Sequence, residues 1–427
     1  MLDKHKMSSM SDFLGESSIR EKMKRKRKNE DGYENDESEG NEDRLSDLPD
    51  GVLLHILSFL NTKHVVRTCV LSTRWKHLWK RISTLILHSS RFSSGKQFSK
   101  FVSNILTRLD NSTALHALDL NRLGNIEPQL LKKILNYVSS HNTHLQELGI
   151  NVSADSSLIM SCVSSCHALT SLKLSISSRD IYGCNSGILF PKSLNLPALT
   201  SLNLTNFVFC GGENGHAEPF LAFTKLNSLV IRSCEVRDAH ILSISNETLV
   251  NLDLHNSSRD FAKIELSSPC LRTFTFVGRP LNKICGSGLS SVKQVNIDAQ
   301  MYSFGDMSHM VLYSWLLELA NVKSLTVSST TLQILSLVPD LLEVELPSLC
   351  NLKSMEIKLE PPEVQLGLPF ILKEDMLKKA AAKSRKEVAK LRKAFKAGWK
   401  LPSIPDGMVD FLLQNSPSAK VDITSIY

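Results

Sequence analysis

No apolar run in this sequence reaches the eighteen or so residues that a bilayer-spanning helix needs. The first residues are rich in Lys and Ser, so no apolar signal segment is read there. A glycine-rich phosphate loop, a paired-histidine metal motif and a nucleophile elbow are also missing. Nine cysteines lie at mostly uneven spacings, which suits free thiols in a reducing compartment better than a disulfide framework. The nearest approach to a ligand pair is Cys162 and Cys166 with His167 beside them. Without a distant second pair, it reads as packing. The body of the chain lacks positive charge as well. Net charge is +7, but residues 371–400 hold eleven Lys/Arg against three Asp/Glu, so everything else sums to about −1. These absences argue against membrane, secreted disulfide-rich and enzymatic classes. They predict a non-catalytic chain of the nucleus and/or cytoplasm, with no cofactor, no metal and no membrane partner.

At 427 residues and 42% hydrophobic content, the chain can bury a large core in two or three units. Residues 1–43 combine a basic cluster (Lys22, Lys24–Lys28) with an acidic run from Glu30 to Asp43. Low hydrophobicity and blocks of like charge predict a disordered charged tail. KRKRK at 24–28 fits a nuclear-import address or, more plainly, a solvated charge run. Residues 44–84 then hold two amphipathic patterns. Leu45, Leu48, Val52, Ile56 and Leu60 recur as one helical face. Pro49 suits an N-terminal turn, with Asp47 or Asp50 as its cap. Asn61-Thr62 breaks the pattern, and Thr62 is expected to cap the next helix. Val65, Cys69, Leu71, Trp75, Leu78 and Ile82 continue at helical spacing, widened by Val66, Val70 and Trp79. Two helices this short carry more apolar surface than they can bury on each other, which marks a docking surface.

The run LPDGVLLHILSFL, followed by VVRTCVLSTRWKHLW, resembles the F-box of plant F-box/leucine-rich-repeat proteins over the whole motif without a gap. The resemblance implies that residues 44–84 bind the Skp-family adaptor of a cullin-RING ubiquitin ligase, and that later repeats hold a protein substrate. By the same resemblance the adaptor-facing positions are Leu48, Pro49, Ile56, Leu57, Leu60, Val70, Leu71 and Trp75. Several of these residue types would serve equally well to pack helix on helix.

From Leu115 a short phrase returns: apolar, two residues, apolar, one residue, apolar. It reads LHALDL at 115, LQELGI at 145, LTSLKL at 169, LTSLNL at 199, LNSLVI at 226 and LVNLDL at 249. It continues as LRTFTF at 271, VKQVNI at 292, VKSLTV at 322 and LKSMEI at 352. The copies start 21 to 30 residues apart, which brackets the leucine-rich-repeat period. The copy at 226 runs on to place Cys234 and Val236 in later apolar slots. Alternation makes each phrase a strand with one apolar side. No single copy can bury that side, so stacked copies share a core and one parallel sheet. The predicted fold is α/β: a short helical F-box module, a connecting segment at 85–114, and a leucine-rich-repeat solenoid at 115–370. Its returns, such as SSLIMSCVSSC, TTLQILSLVPDLL and GDMSHMVLYSWLLELA, read as helical or irregular. Outward strand positions Lys173, Asn203, Arg232, Asp253, His255, Asn296, Asp298 and Lys358 are the candidates for holding a protein substrate. Their mixed chemistry names no ligand class.

Residues 371–400 form the one basic segment. Leu377, Ala381, Ser384, Val388, Leu391 and Phe395 make a seam along a single amphipathic helix, expected to lie against the solenoid end or a neighbouring loop with its charged face in water. Residues 401–427 read as a closing unit of helix, turn at Ser416-Pro417 and last strand, the cap that a solenoid requires. The leading reading is a ligase substrate receptor whose partners are proteins and not nucleic acid. Beside it stands a non-catalytic nuclear scaffold that uses the basic helix and tail to hold nucleic acid or a partner helix.

Overall fold

The computed structural model describes residues 45, 47–110, 112–177, 187–212, 214–256, 263–286, 288–303, 307–361 and 367–425. The charged tail expected over 1–43, with its KRKRK run, lies outside them. The chain divides into two units, residues 1–113 and 114–427.

In the first unit, α1 (Asp50–Ser58) is followed by α2 (Thr62–Arg67), a 3-10 turn at Thr68–Val70, and α3 (Trp75–Leu78) with a 3-10 turn at Trp79–Arg81. The second pattern is therefore broken and is not one helix. Its start also differs from expectation. Asn61 is the cap and accepts from Lys63 N, while Thr62 is buried inside the first turn. The Thr62 Oγ1 accepts from Ile86 N at 3.0 Å, tying α2 to β1 (Thr84–His88). Thr68 Oγ1 donates to Val65 O at 2.7 Å, a back-bond that loosens a helix already rich in β-branched residues. The stretch 85–114, expected as a connection, is part of this fold. β1 alternates buried Leu85 and Leu87 with half-buried neighbours. α4 (Gly95–Leu106) opens on Ser94, which accepts from Gln97 N. It buries Phe98, Phe101, Val102 and Ile105, the three- and four-residue spacing of a core-facing stripe.

In the second unit every phrase is a strand. β2 (Ala117–Asn125), β3 (Glu147–Ser153), β4 (Ser171–Ser177), β6 (Ser201–Thr205) and β9 (Ser228–Arg232) come first. β12 (Asn251–Asn256), β14 (Thr273–Gly278), β16 (Gln294–Ala299), β17 (Ser324–Ser328) and β18 (Ser354–Leu359) follow. Pairing runs β2-β3-β4-β6-β9-β12-β14-β16-β17-β18, all parallel, and ends on β19 (Lys420–Ser425). Register follows the phrase. Leu148 faces Leu172, Leu172 faces Leu202, and Leu202 faces Leu229, so each apolar slot stacks on its counterpart. These slots are buried, whereas the residues between them are not.

The returns differ between ends and middle. α5 (Pro128–Ser140) and α6 (Ser156–Ser164) follow β2 and β3, and α7 (Ser308–Glu318) and α8 (Ser329–Leu335) flank β17. The middle returns are strands, where helical or irregular segments were expected. β5 (Ile188–Leu189), β7 (Phe207–Cys210) and β10 (Glu235–Arg237) make one short parallel sheet. β8 (His216–Ala217), β11 (Ile241–Ser245), β13 (Lys263–Ser267) and β15 (Lys283–Cys285) make another. Two features favour strands here. KIELS alternates with the two-residue period of a sheet, and FVFC is a short apolar run of strand length. Phe190, Phe207, Phe209, Phe220 and Phe223 also fill the interior with edge-to-face contacts, and such bulky side chains pack well on a pleated surface. The chain leaves the main sheet through Asn206 and Ser233 at φ 65° and 48°, a conformation that short polar residues tolerate best. The extended copy at 226 indeed buries Cys234 and Val236.

The basic segment is two helices, α9 (Leu368–Lys383) and α10 (Arg385–Lys396). Ser384 is not a seam residue. It is the cap of α10, with its Oγ accepting from Glu387 N at 3.2 Å. α11 (Met408–Leu413) and β19 close the unit. Ser416 Oγ donates to Leu349 O at 2.8 Å and accepts from Leu352 N at 3.2 Å. Among the described residues no helix is long and apolar enough to cross a membrane.

Candidate functional site

The helical module has an inside and an outside, and they are not the faces that spacing suggests. Leu53 and Leu57 are the buried residues of α1, and Val65, Val66, Trp75, Leu78 and Trp79 are buried in the same module. Leu45, Val52 and Ile56 remain exposed, with Phe59 and Leu60 at the helix end. Past α2 the 3-10 turn presents Val70 and Leu71, each more than 60% exposed. Of the eight adaptor-facing candidates, Leu57 (1% exposed) and Trp75 (6%) are interior residues that hold the helices together. Pro49, Ile56, Leu60, Val70 and Leu71 are on the surface, and Leu48 is half-buried. Phe59, at 71% the most exposed large apolar side chain of α1 and its flanks, was missed. Its signal was available: in DGVLLHILSFL apolar residues run almost all round the helix, more than one face can bury.

A charged clasp fixes this surface. Neither Asp47 nor Asp50 caps α1; Pro49 occupies the cap position with no side-chain cap bond. The Asp50 carboxylate instead receives Arg74 Nε at 2.9 Å and Arg74 Nη2 at 2.8 Å on one oxygen, and Arg81 Nη1 at 3.1 Å on the other. The Arg74 guanidinium also donates to Leu48 O. Hydrogen bonds from Arg74 first, then the charges of Arg74 and Arg81, hold the Asp50 carboxyl below its ordinary range. Such charge-assisted hydrogen bonds are stronger than neutral ones, so one acidic residue pins the start of α1 to both ends of the α3 segment.

On the repeat sheet, all eight outward candidates lie on phrase strands. Lys173 and Asn203 are neighbours across β4 and β6. Arg232 sits beside His255 across β9 and β12. Asp253 joins them, 3.6 Å from Arg232 Nη2 and 2.9 Å from His255 Nε2. Asn296 and Asp298 follow on β16, while Lys358 stands apart on β18 beside Ser328 and Thr424. Among the described residues, Arg232 Nε and Asn203 Oδ1 are shielded from solvent without a hydrogen-bond partner, a state that favours an incoming polar group.

Two further groups were not foreseen. Asn121 and Asn151 pair in register on β2 and β3. Glu360, just past β18, accepts from Thr330 Oγ1, and its own N–H donates to Ser329 Oγ at 3.1 Å. Burial, together with the negative charge of Asp298, pushes the Glu360 carboxyl up to about 7. Asn121 was within reach of the phrase pattern, since it is the next outward position after LHALDL. Glu360 lies outside the phrases altogether. Cys162 and Cys166 are buried thiols, Cys166 donating to Cys162 O at 3.3 Å. Among the described residues no cluster of His, Cys, Asp or Glu is arranged to hold a metal.

An F-box domain model matches residues 45–87. That span contains α1, α2, the exposed turn, the α3 segment and most of β1. The chain is also 26% identical over 358 residues to F-box/LRR-repeat protein At4g14103 of Arabidopsis thaliana, covering 78% of this chain and 89% of that one. The chain thus carries an F-box and is similar over most of its length to plant F-box/leucine-rich-repeat proteins. F-box/LRR-repeat protein At1g55660 of the same plant is 26% identical over 309 residues, covering 69% and 80%. FBD-associated F-box protein At1g66310, again from Arabidopsis thaliana, is 24% identical over 339 residues, covering 75% and 72%. The F-box match and the names of these relatives support an adaptor role in ubiquitin ligation in general terms.

Proposed function

We propose that this chain is the substrate-recognition subunit of a Skp-cullin-F-box ubiquitin ligase. The exposed apolar set on the F-box, Pro49, Ile56, Leu60, Val70 and Leu71 with Phe59 added, meets a Skp-family adaptor. The observation that carries this reading is that the module's interior is already filled by Leu53, Leu57, Trp75 and Trp79. The outer set therefore has no use within the module, and large apolar residues gathered on a surface mark a protein contact. The outward sheet positions, centred on Arg232, Asp253 and His255, hold a protein substrate. The chain then contributes position and not chemistry. It raises the local concentration of the substrate near a ubiquitin carrier brought by other subunits.

Calorimetry with a purified Skp-family adaptor tests the first contact. The full chain is expected to bind at micromolar concentration or tighter. Val70→Asp with Leu71→Asp should weaken binding by about thirtyfold or more if these are anchors of the usual strength, without lowering the melting temperature. Absence of wild-type binding at micromolar concentration ends this reading. Affinity capture by chains with and without residues 45–87 tests the second contact. Partners that survive the deletion are the ones the repeats hold.

A further inference from the structure

The basic segment differs from a helix laid along the solenoid. Only Leu368, Ile371 and Leu372, at the start of α9, are buried, and α10 buries no residue at all. Lys379 adds one tie, donating to Ser336 O at 3.2 Å while pairing with Asp375 at 2.9 Å. Beyond that root the two helices hold each other. Leu377 on α9 and Val388, Leu391 and Phe395 on α10 are half-buried, and Lys373 Nζ lies 4.8 Å over the Phe395 ring.

This arrangement consumes the apolar stripe and leaves the cations outside. Lys386, Lys390 and Lys393 are exposed at i, i+4 and i+7, and Arg385, Arg392 and Lys396 form an adjacent exposed row. Such spacings share a face, and α10 displays them over about 18 Å. From Lys378 to Lys400 the sole acidic residue is Glu387. Immediately past α10, Trp399 stands between Lys396 and Lys400. It is 44% exposed and rests edge-on against Phe395 at 5.4 Å.

We propose that the α9–α10 hairpin is a docking surface for single-stranded RNA, with the α10 cations on its phosphates and Trp399 stacked on a base. A row of cations calls for a polyanion. An anionic membrane fits poorly, because a helix lying in a lipid interface needs a free apolar face and α10 spends its own on α9. An acidic protein segment would satisfy the cations alone, without the repeated planar bases that an aromatic beside a cation row can stack. Cations tracking a backbone beside an exposed aromatic are what sequence-tolerant single-strand binding requires, and RNA is the common single-stranded polynucleotide of cells.

The test uses the full chain and a fluorescein-labelled twenty-nucleotide single-stranded RNA, with anisotropy measured over a salt series. Binding should be micromolar near 0.1 M salt. The triple variant Lys386→Glu, Lys390→Glu, Lys393→Glu should weaken it at least tenfold and flatten the slope of log affinity against log salt by about 2, for three lost phosphate contacts. Trp399→Ala should weaken it by about fivefold or more with the slope unchanged. Because all four side chains are exposed, the melting temperature should hold in both variants. RNA binding that is absent at 50 µM, or undiminished by both variants, overturns the proposal. Tighter binding to duplex RNA, to a DNA strand of the same sequence, to polyglutamate or to phosphatidylserine vesicles does the same. None of these readouts depends on adaptor binding.

Discussion

The repeat region and the helical module hold similar proportions of leucine, yet inside and outside are legible in one and not in the other. A strand has two faces and a period of two. Once Leu172 and Leu174 are assigned to the interior, Lys173 can only point out, and the register between strands repeats that decision down the sheet. A short helix offers a continuous circumference. In α1 the apolar residues occupy most of it, so spacing alone allows either Val52-Ile56 or Leu53-Leu57 to be the inner pair. The structure selects Leu53 and Leu57 because the second pattern, broken into α2, a 3-10 turn and α3, brings Trp75 and Trp79 to that side. A surplus of apolar residues is thus informative about the existence of a docking surface but not about its location.

The largest expected effect tests the sheet half of this contrast. Leu174→Asp places an unpaired carboxylate in a fully buried slot, and the chain should lose more than about 4 kcal/mol of stability or fail to fold. Its neighbour Lys173→Glu, one residue away and exposed, should change the unfolding free energy from urea titration by no more than about 0.5 kcal/mol. Equal losses at the two positions would mean that the two-face reading of the strands is mistaken.

In the helical module the same adjacent-pair experiment separates folding from docking. Leu57→Ala should cost about 2–5 kcal/mol, the usual range for emptying a packed site. Ile56→Ala should cost about 0.5 kcal/mol or less while weakening adaptor binding. If Leu57→Ala is as stable as the wild type, or Ile56→Ala destabilises as much, the faces have been assigned the wrong way round.

Elsewhere, what was legible depended on whether the deciding interaction was local. The ten phrases and their order could be read because each repeats within six residues. The break at Ser384 was also local: Ser384 and Glu387 form the S-x-x-E pattern of a helix start, which a heptad-like seam concealed. The middle returns could not be separated from short helices by period alone, since their strand character depends on Phe side chains from several returns meeting in space. The Asp50 clasp joins residues 24 and 31 positions apart. No local rule prefers it to a cap.

That clasp gives a smaller, pH-dependent effect. The arginines lower the Asp50 pKa in the folded chain. Its contribution is therefore present above the unfolded value near 4 and disappears as pH falls through the still lower folded value. Asp50→Asn should melt below the wild type at pH 7, and the gap should close as pH drops below about 4. A gap that stays constant down to pH 3 would show that the ionised clasp contributes nothing.

Glu360 should give the smallest effect, and one of opposite sign. Its carboxyl is pushed up to about 7 by burial and by the charge of Asp298, and an Asp298 oxygen is buried without a hydrogen-bond donor. A proton on Glu360 supplies that donor. A folded pKa above the unfolded value means that the stabilising contribution is complete below about 4.3. It then falls as pH rises through about 7, because the folded state must give up a proton it binds more tightly. Glu360→Gln keeps the shape and a donor but cannot ionise. It should match the wild type below about pH 4.3, where the carboxyl is protonated in both states, and melt above it at pH 8. Asp298→Asn relieves the same repulsion from the other side, so it should also flatten the wild-type decline between about pH 4.3 and 7. If all three proteins lose stability in parallel over that range, the decline belongs to other groups and the Glu360–Asp298 pair is already relaxed at neutral pH.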